Sequence, residues 1–193
     1  MSTIAILLLA AGASSRMEGR DKLMEEIDGL PLLSLICSRA TQTGLPCYVT
    51  VPSLSHPRVS VTGTAHVIAV PEASEGMAAS IRTGVAALAA ETQAVMILPC
   101  DMPELQTQDL LHLAAHFHGP DNAVLRATAS DGTPGHPVLF PRRCFPALSL
   151  IAGDQGARAV LQNQEVQLVA LPGQRAVTDL DTPDAWAHWR AGR

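Results

Sequence analysis

The sequence predicts an α/β fold of three layers, with a mostly parallel sheet between two sets of helices. Three observations lead there. Short apolar runs alternate along the chain with longer amphipathic segments. The first run, residues 4–9, is apolar at every position, as a strand is when both of its faces are covered. Hydrophobic residues make up 47% of the chain and aromatic ones only 3%, so the core is built from Ala, Val, Leu and Ile. No repeat, low-complexity tract or linker divides the 193 residues, and residues 1–193 read as one domain.

In chain order, residues 4–9 form the first strand, and residues 12–22, rich in Gly, Ser and charge, form a loop. Residues 31–44 have helical periodicity and stop at Gly44. Strands follow at 47–51 and 66–70, with a loop at 53–63 between them. Residues 77–90 are Ala-rich and apolar on one face, hence helical. A fourth strand at 94–98 runs into a segment with two prolines, 99–103. Thr107 can cap a helix reaching about residue 118, and 123–127 is a fifth strand. Residues 130–137 read as a polar Gly/Pro loop, and 138–140 as a short strand or edge. Asp154 can cap a helix at 156–163, and 166–171 is a further strand. Thr182 and Pro183 begin a last helix to about residue 189. This alternation implies parallel βαβ units. Such sheets bind ligands at the carboxyl ends of their strands. The two unusual loops, 10–22 and 99–103, both follow strands, so they are expected to open on one edge.

Composition excludes several functions. The formal net charge is -5 and no Lys/Arg block stands out, which argues against a nucleic-acid partner. The few aromatics argue against a stacking platform for single strands. Cys37, Cys47, Cys100 and Cys144 lie far apart, so zinc-ribbon and redox-motif readings fail on spacing. They read as reduced, mostly buried thiols of a cytosolic protein. The start lacks a basic signal-peptide region, and the apolar run at 4–11 is too short to span a bilayer. A cytoplasmic protein without a membrane partner is expected.

Chemistry concentrates in five segments. Leu9-Ala10-Ala11-Gly12-Ala13-Ser14-Ser15-Arg16-Met17, followed by Lys22, puts small residues after a buried strand. There the backbone can approach a phosphate, and Arg16 and Lys22 supply charge. The segment is neither GxGxxG nor a P-loop, and an ordinary strand-loop with solvated cations fits it equally well. In Pro99-Cys100-Asp101-Met102-Pro103 the prolines restrain the chain around a lone carboxylate. That suits Mg²⁺, or merely caps a turn. Asp179 and Asp181, two apart, share a face in extended chain, although Asp181 or Thr182 alone reads as a helix cap. Ser80 opens a helix after Glu75-Gly76, where a nucleobase edge could be reached, or is a small packed residue. Gly132-Thr133-Pro134-Gly135-His136-Pro137 and Gly153-Asp154-Gln155-Gly156-Ala157-Arg158 are rich in turn residues with a few polar groups. His112, His116 and His118 share one helix, and a solvated or interface face is the expected reading.

Taken together, the five segments resemble a known family. Residues 7–23 resemble the LAAGxSxRMGxxK loop of the NTP transferases that include molybdenum cofactor cytidylyltransferase and guanylyltransferase. One departure is Glu18, where that family usually carries Gly. Residues 98–103, 178–183, 76–84 and the 132–140 and 153–158 pair are similar to further elements of it, in the same order. The resemblance implies a Rossmann-like α/β/α sandwich of the nucleotide-diphospho-sugar transferase type. It implies nucleotide binding by Leu9, Ala10, Ala11, Gly12, Arg16, Lys22 and Ser80, and metal binding by Asp101 and Asp181, with Asp179 in support. Arg16, Lys22 and Asp101 take the catalytic roles, and Gly135, His136, Asp154 and Arg158 the acceptor pocket. The implied reaction is transfer of a nucleoside monophosphate to a molybdopterin-type cofactor with Mg²⁺, or Mn²⁺, in attendance. Ala10-Ala11-Gly12 and Met102 resemble the cytidylyl branch, so CTP is the expected donor and GTP the alternative. A methyl group at Ala11 is expected to crowd a purine. A molybdoenzyme or its chaperone is a conceivable protein partner, and a non-catalytic nucleotide-binding protein is the alternative of another class.

Overall fold

The structure is a computed structural model that describes residues 3–153 and 156–193. Nine strands and six helices follow one another as β1 (Thr3–Leu9), β2 (Glu26–Ile27), β3 (Leu30–Pro31), α1 (Leu32–Thr41), β4 (Cys47–Val51), β5 (His66–Ala69), α2 (Met77–Ala86), β6 (Thr92–Pro99), α3 (Thr107–Ala115), β7 (Val124–Thr128), β8 (Pro134–Pro141), α4 (Phe145–Leu148), α5 (Arg158–Leu161), β9 (Val166–Ala170) and α6 (Pro183–Ala191), counted among the described residues. Seven strands form one sheet in the order β5-β4-β1-β6-β8-β7-β9, and β2 pairs with β3 in a small hairpin.

Strand β1 lies at the centre because both of its faces are apolar. Ile4, Ile6 and Leu8 pack with α1, α3 and α6, while Leu7 packs with α2, α4 and α5 on the other face. Strand β6 alternates in the same way, Ala94, Met96 and Leu98 on one side and Val95 and Ile97 on the other. The two strands run parallel in a register that brings Leu9 beside Pro99, so both end together. Their carboxyl ends therefore deliver the loops after residues 9 and 99 to one edge, as the alternation of elements predicts.

The sheet is mostly parallel, with one reversal. Strand β8 runs antiparallel to both of its neighbours, β6 and β7. Sequence reading takes residues 130–137 for a loop because Gly132, Pro134, Gly135 and Pro137 are turn residues. The strand instead begins at Pro134. It tolerates its prolines because Pro134 and Pro141 sit at its ends, and Pro137 falls where the register with β7 shifts. Helices α2, α3 and α5 are shorter than their apolar patterns suggest, and the cap of α3 is Gln106, in a reciprocal capping box with Asp109, rather than Thr107. The expected cap of α5, Asp154, lies outside the described residues. No described helix is long and apolar enough to cross a membrane.

Gly135 shows how tightly β8 is seated. A Cβ at this position would meet the Ala176 carbonyl oxygen at 1.8 Å, and that oxygen accepts the His136 N–H at 2.8 Å. Gly12, by contrast, has open space where a Cβ would stand. Gly135→Ala is therefore expected to lower the urea unfolding free energy by about 1–3 kcal/mol, as overpacked sites do. Gly12→Ala is expected to change it by less than about 0.5 kcal/mol.

Candidate functional site

The chain after β1 leaves the sheet as an open loop. From Ala11 to Arg16 no backbone N–H has a hydrogen-bond partner among the described residues. All six residues line a cleft of about 570 Å³. Successive free N–H groups make a concave anion site. The first turn of α2 closes the opposite wall, with Gly76, Met77 and Ser80 facing the same cleft. A helix N-terminus adds partial positive charge there. Gly76 takes a φ of 113°, a backbone open to glycine, so the chain can turn sharply into that helix. Glu18 is exposed at φ 52° and does not line the cleft. Its departure from glycine therefore places no carboxylate against a bound anion. The left-handed backbone explains why glycine suits that position.

On the cleft floor three acidic side chains converge. Asp101 sits two residues past the end of β6, and its carbonyl accepts the Leu180 N–H at 2.9 Å. That bond draws the segment before α6 across the mouth of the sheet. As a result one carboxylate oxygen each from Asp101, Asp179 and Asp181 lies within 4.8 Å of the others. Lys22 Nζ donates to Asp101 Oδ2 at 2.6 Å and also to Asp181 Oδ1, and Arg16 donates to Asp181 Oδ2. Burial pushes the Asp101 carboxyl pKa upward, and Lys22 opposes this without cancelling it. Asp181 is less buried, and there the hydrogen bond and charge of Lys22, with Arg16, outweigh burial and hold its carboxyl below the usual range. For Lys22, burial opposes the ammonium but the two carboxylates prevail and raise its pKa. Three carboxylates this close together are a donor set suited to a divalent cation.

Ten of the expected site residues meet here. Leu9, Ala11, Gly12, Arg16, Lys22, Ser80, Asp101 and Asp181 line the cleft, Asp179 joins its acidic cluster, and Ala10 is buried directly behind it. Ala11 lines the cleft and at the same time packs with Val70 and Ala79, leaving it 4% exposed. Met102 is 2% exposed within the main core and does not face the cleft.

The expected acceptor residues divide. His136 and Arg158 line a second cavity of about 360 Å³, with Met77, Ile81, Ile97, Val138 and Phe140 among its walls. Met77 belongs to both cavities, so they adjoin. Burial, then the nearby Arg126, pushes the His136 imidazole down to about 4, and its Nδ1 has no hydrogen-bond partner among the described residues. Gly135 does not line this cavity. Its lack of a side chain serves packing against Ala176. Asp154 lies outside the described residues.

Sequence reading missed two arginines. Arg126 on β7 projects into the second cavity and donates to the Gly135 carbonyl at 3.1 Å. Arg58 is 2% exposed and hydrogen-bonded to the loop after β1. Neither belongs to a motif, and a lone Arg in a strand or loop carries no sequence signal of burial. His112 and His116 stack edge to face on the surface of α3 and join no acidic cluster among the described residues.

The chain is similar to known proteins over nearly its whole length. Residues 6–168 match the model of the MobA-like NTP transferase domain. The chain is 32% identical to a probable molybdenum cofactor guanylyltransferase of Trichormus variabilis, across 95% of this chain and 89% of that one. It is 26% identical to the molybdenum cofactor cytidylyltransferase of Escherichia coli, across 95% and 94%. Among solved structures, Rv0371c of Mycobacterium tuberculosis superposes with a TM-score of 0.84 at 23% identity, over 97% of both chains. The same protein solved in complex with manganese superposes with a TM-score of 0.81.

Lys22 is the countercharge that lets Asp101 and Asp181 share the cleft floor. Lys22→Met is expected to cost about 1–3 kcal/mol at pH 7, since it strands partly buried carboxylates. Losing the ammonium raises both carboxyl pKa values. The wild-type advantage is thus present while both groups are ionised, and it shrinks as the pH falls through the acidic range, first as the raised Asp101 carboxyl and then as the lowered Asp181 carboxyl takes up a proton. Urea melts of both proteins across that range measure it. A deficit that stays constant with pH contradicts the assignment.

Proposed function

The chain belongs to the MobA-like NTP transferase family, and from that membership we propose that it transfers a nucleoside monophosphate from an NTP to the phosphate of a molybdopterin-type cofactor. The observation that carries this reading is the convergence of a loop of free N–H groups, Lys22 and three carboxylates in one cleft, beside a second cavity of different character. The first suits a triphosphate. The second, mostly apolar with Arg126 and Arg158 at its walls, suits a flat acceptor that carries an anionic group.

In this reaction an acceptor phosphate oxygen attacks the α-phosphorus and forms a new P–O bond. The bond from that phosphorus to the bridging oxygen of the β-phosphate breaks, and pyrophosphate leaves with the electron pair. The obstacle is the approach of two anions, so positioning and charge neutralisation dominate, and no protein nucleophile is needed. The N–H groups of residues 11–16 hold the phosphates, and Arg16 holds the departing pyrophosphate. Lys22 favours charge growing on the α-phosphoryl oxygens. Asp101 and Asp181, with Asp179 in support, would hold Mg²⁺ or Mn²⁺. When bound, such an ion supplies Lewis-acid neutralisation of phosphate charge. The neutral His136 and the Met77 wall keep the acceptor side largely apolar and orient the acceptor toward the shared boundary.

For the donor we propose GTP. The probable guanylyltransferase of Trichormus variabilis is nearer in sequence, at 32% identity, than the Escherichia coli cytidylyltransferase at 26%. CTP remains the second reading, favoured by Ala10-Ala11-Gly12 and Met102, which resemble the cytidylyl branch.

Pyrophosphate release with purified molybdopterin, Mg²⁺ and each NTP in turn tests the reading. Release is expected with GTP. Release with CTP alone establishes the second reading, and release with neither, despite nucleotide binding, leaves a binding protein. Asp101→Ala is expected to lower turnover at least about 100-fold with the far-UV spectrum unchanged.

A further inference from the structure

Arg58 is the second residue of a short 3₁₀ turn, Pro57–Val61, and does not line the cleft itself but an adjoining groove that shares the loop with it. It is 2% exposed and directs its whole guanidinium into the back of that loop. Nε donates to Asp21 Oδ2 at 2.8 Å, and one Nη donates to Asp21 Oδ1 at 2.7 Å and to Ser14 Oγ at 3.1 Å. The other Nη donates to the carbonyls of Ala10 at 2.6 Å and Gly12 at 2.8 Å. A guanidinium has five N–H donors, and all five are used.

These bonds grip both limbs of the loop. Ala10, Gly12 and Ser14 lie on the outgoing limb, and Asp21 lies on the returning limb beside Lys22. In a trans peptide the carbonyl of one residue and the N–H of the next point in opposite directions. Turning the Ala10 and Gly12 carbonyls toward Arg58 therefore turns the N–H groups of Ala11 and Ala13 away from it, and both residues line the cleft. Ser14 sits at φ 53°, a left-handed backbone that a serine holds only at a cost. Its hydroxyl is fastened on three sides, accepting from Arg58 and from the Lys22 N–H and donating to Asp21. The knot thus fixes the loop's peptide planes and the base of Lys22 at once.

We propose that Arg58, clamped by Asp21, is a positioning residue that presets the phosphate-binding face of this loop without touching substrate. The proposal rests on the reading of the cleft as a triphosphate site. Preorganised donors bind an anion without paying the entropy of ordering the loop. A lysine keeps the charge at position 58, yet it offers three donors from one point and cannot span both limbs.

Calorimetric titration of the wild type, Arg58→Lys and Asp21→Asn with GTP, CTP and the corresponding nucleosides in Mg²⁺ tests this. For the triphosphate that the wild type binds, Arg58→Lys is expected to weaken affinity at least about tenfold, while nucleoside affinity stays within about twofold. In turnover, KM for that NTP should rise while KM for the acceptor stays. Asp21→Asn should show the same selective loss to a smaller degree. Equal losses for nucleoside and triphosphate, or unchanged triphosphate binding in a variant with a native far-UV spectrum, overturn the positioning role. So does loss of the fold in both variants, which would make the pair part of the general scaffold. A wild type that binds neither triphosphate sinks the triphosphate-site reading itself, and this proposal with it.

Discussion

The cleft depends on one electrostatic constraint. Two carboxylates from distant parts of the chain, Asp101 after β6 and Asp181 before α6, are drawn together where neither is well hydrated. Like charges so placed repel unless a cation stands between them. Lys22 provides that cation, reaching both from the returning limb of the loop after β1. The constraint fixes three chain segments relative to one another, and with them the shape of the cleft floor. It also explains why the site sits at this edge. Only there do β1 and β6, parallel and ending in register, bring a loop of small residues beside a rigid acidic one.

Much of this was legible in the sequence because it rests on local signals. The continuous apolar run at 4–9 could only be a covered strand, and the flanking prolines marked Asp101 as a restrained carboxylate. The two-residue spacing of Asp179 and Asp181 placed them together before a capped helix. What stayed hidden depends on long-range packing. The reversal of β8 is masked by turn residues, because a proline at a strand end or beside a register shift looks the same in sequence as a proline in a loop. Arg58 stands 37 positions from Asp21, and only the fold reveals that it is buried. The packing of Met102 into the main core, and of Ala11 against Val70 and Ala79 at the cleft wall, is likewise visible only in the fold.

The two adjoining cavities differ in chemical character. One is walled by backbone N–H groups and charged side chains, and the other mostly by apolar side chains, with a buried neutral imidazole and the guanidinium groups of Arg126 and Arg158. Met77 stands at their boundary. Ion pairing between Glu75 and Arg82 holds the neighbouring segment, with Arg82 also donating to the Ile151 carbonyl at 2.8 Å and Glu75 accepting from the Gly153 N–H at 3.4 Å. The start of α2 thus supports both walls.

The central claim is that Asp101 and Asp181 serve one divalent cation and that Lys22 answers to phosphate charge when a nucleotide is bound. Anomalous diffraction from crystals grown with Mn²⁺ and a non-hydrolysable NTP measures this directly. The account predicts a manganese peak touching both carboxylates, with the Lys22 ammonium on phosphate oxygen. A peak that avoids either carboxylate, or a nucleotide bound with Lys22 still bridging the pair, would contradict it.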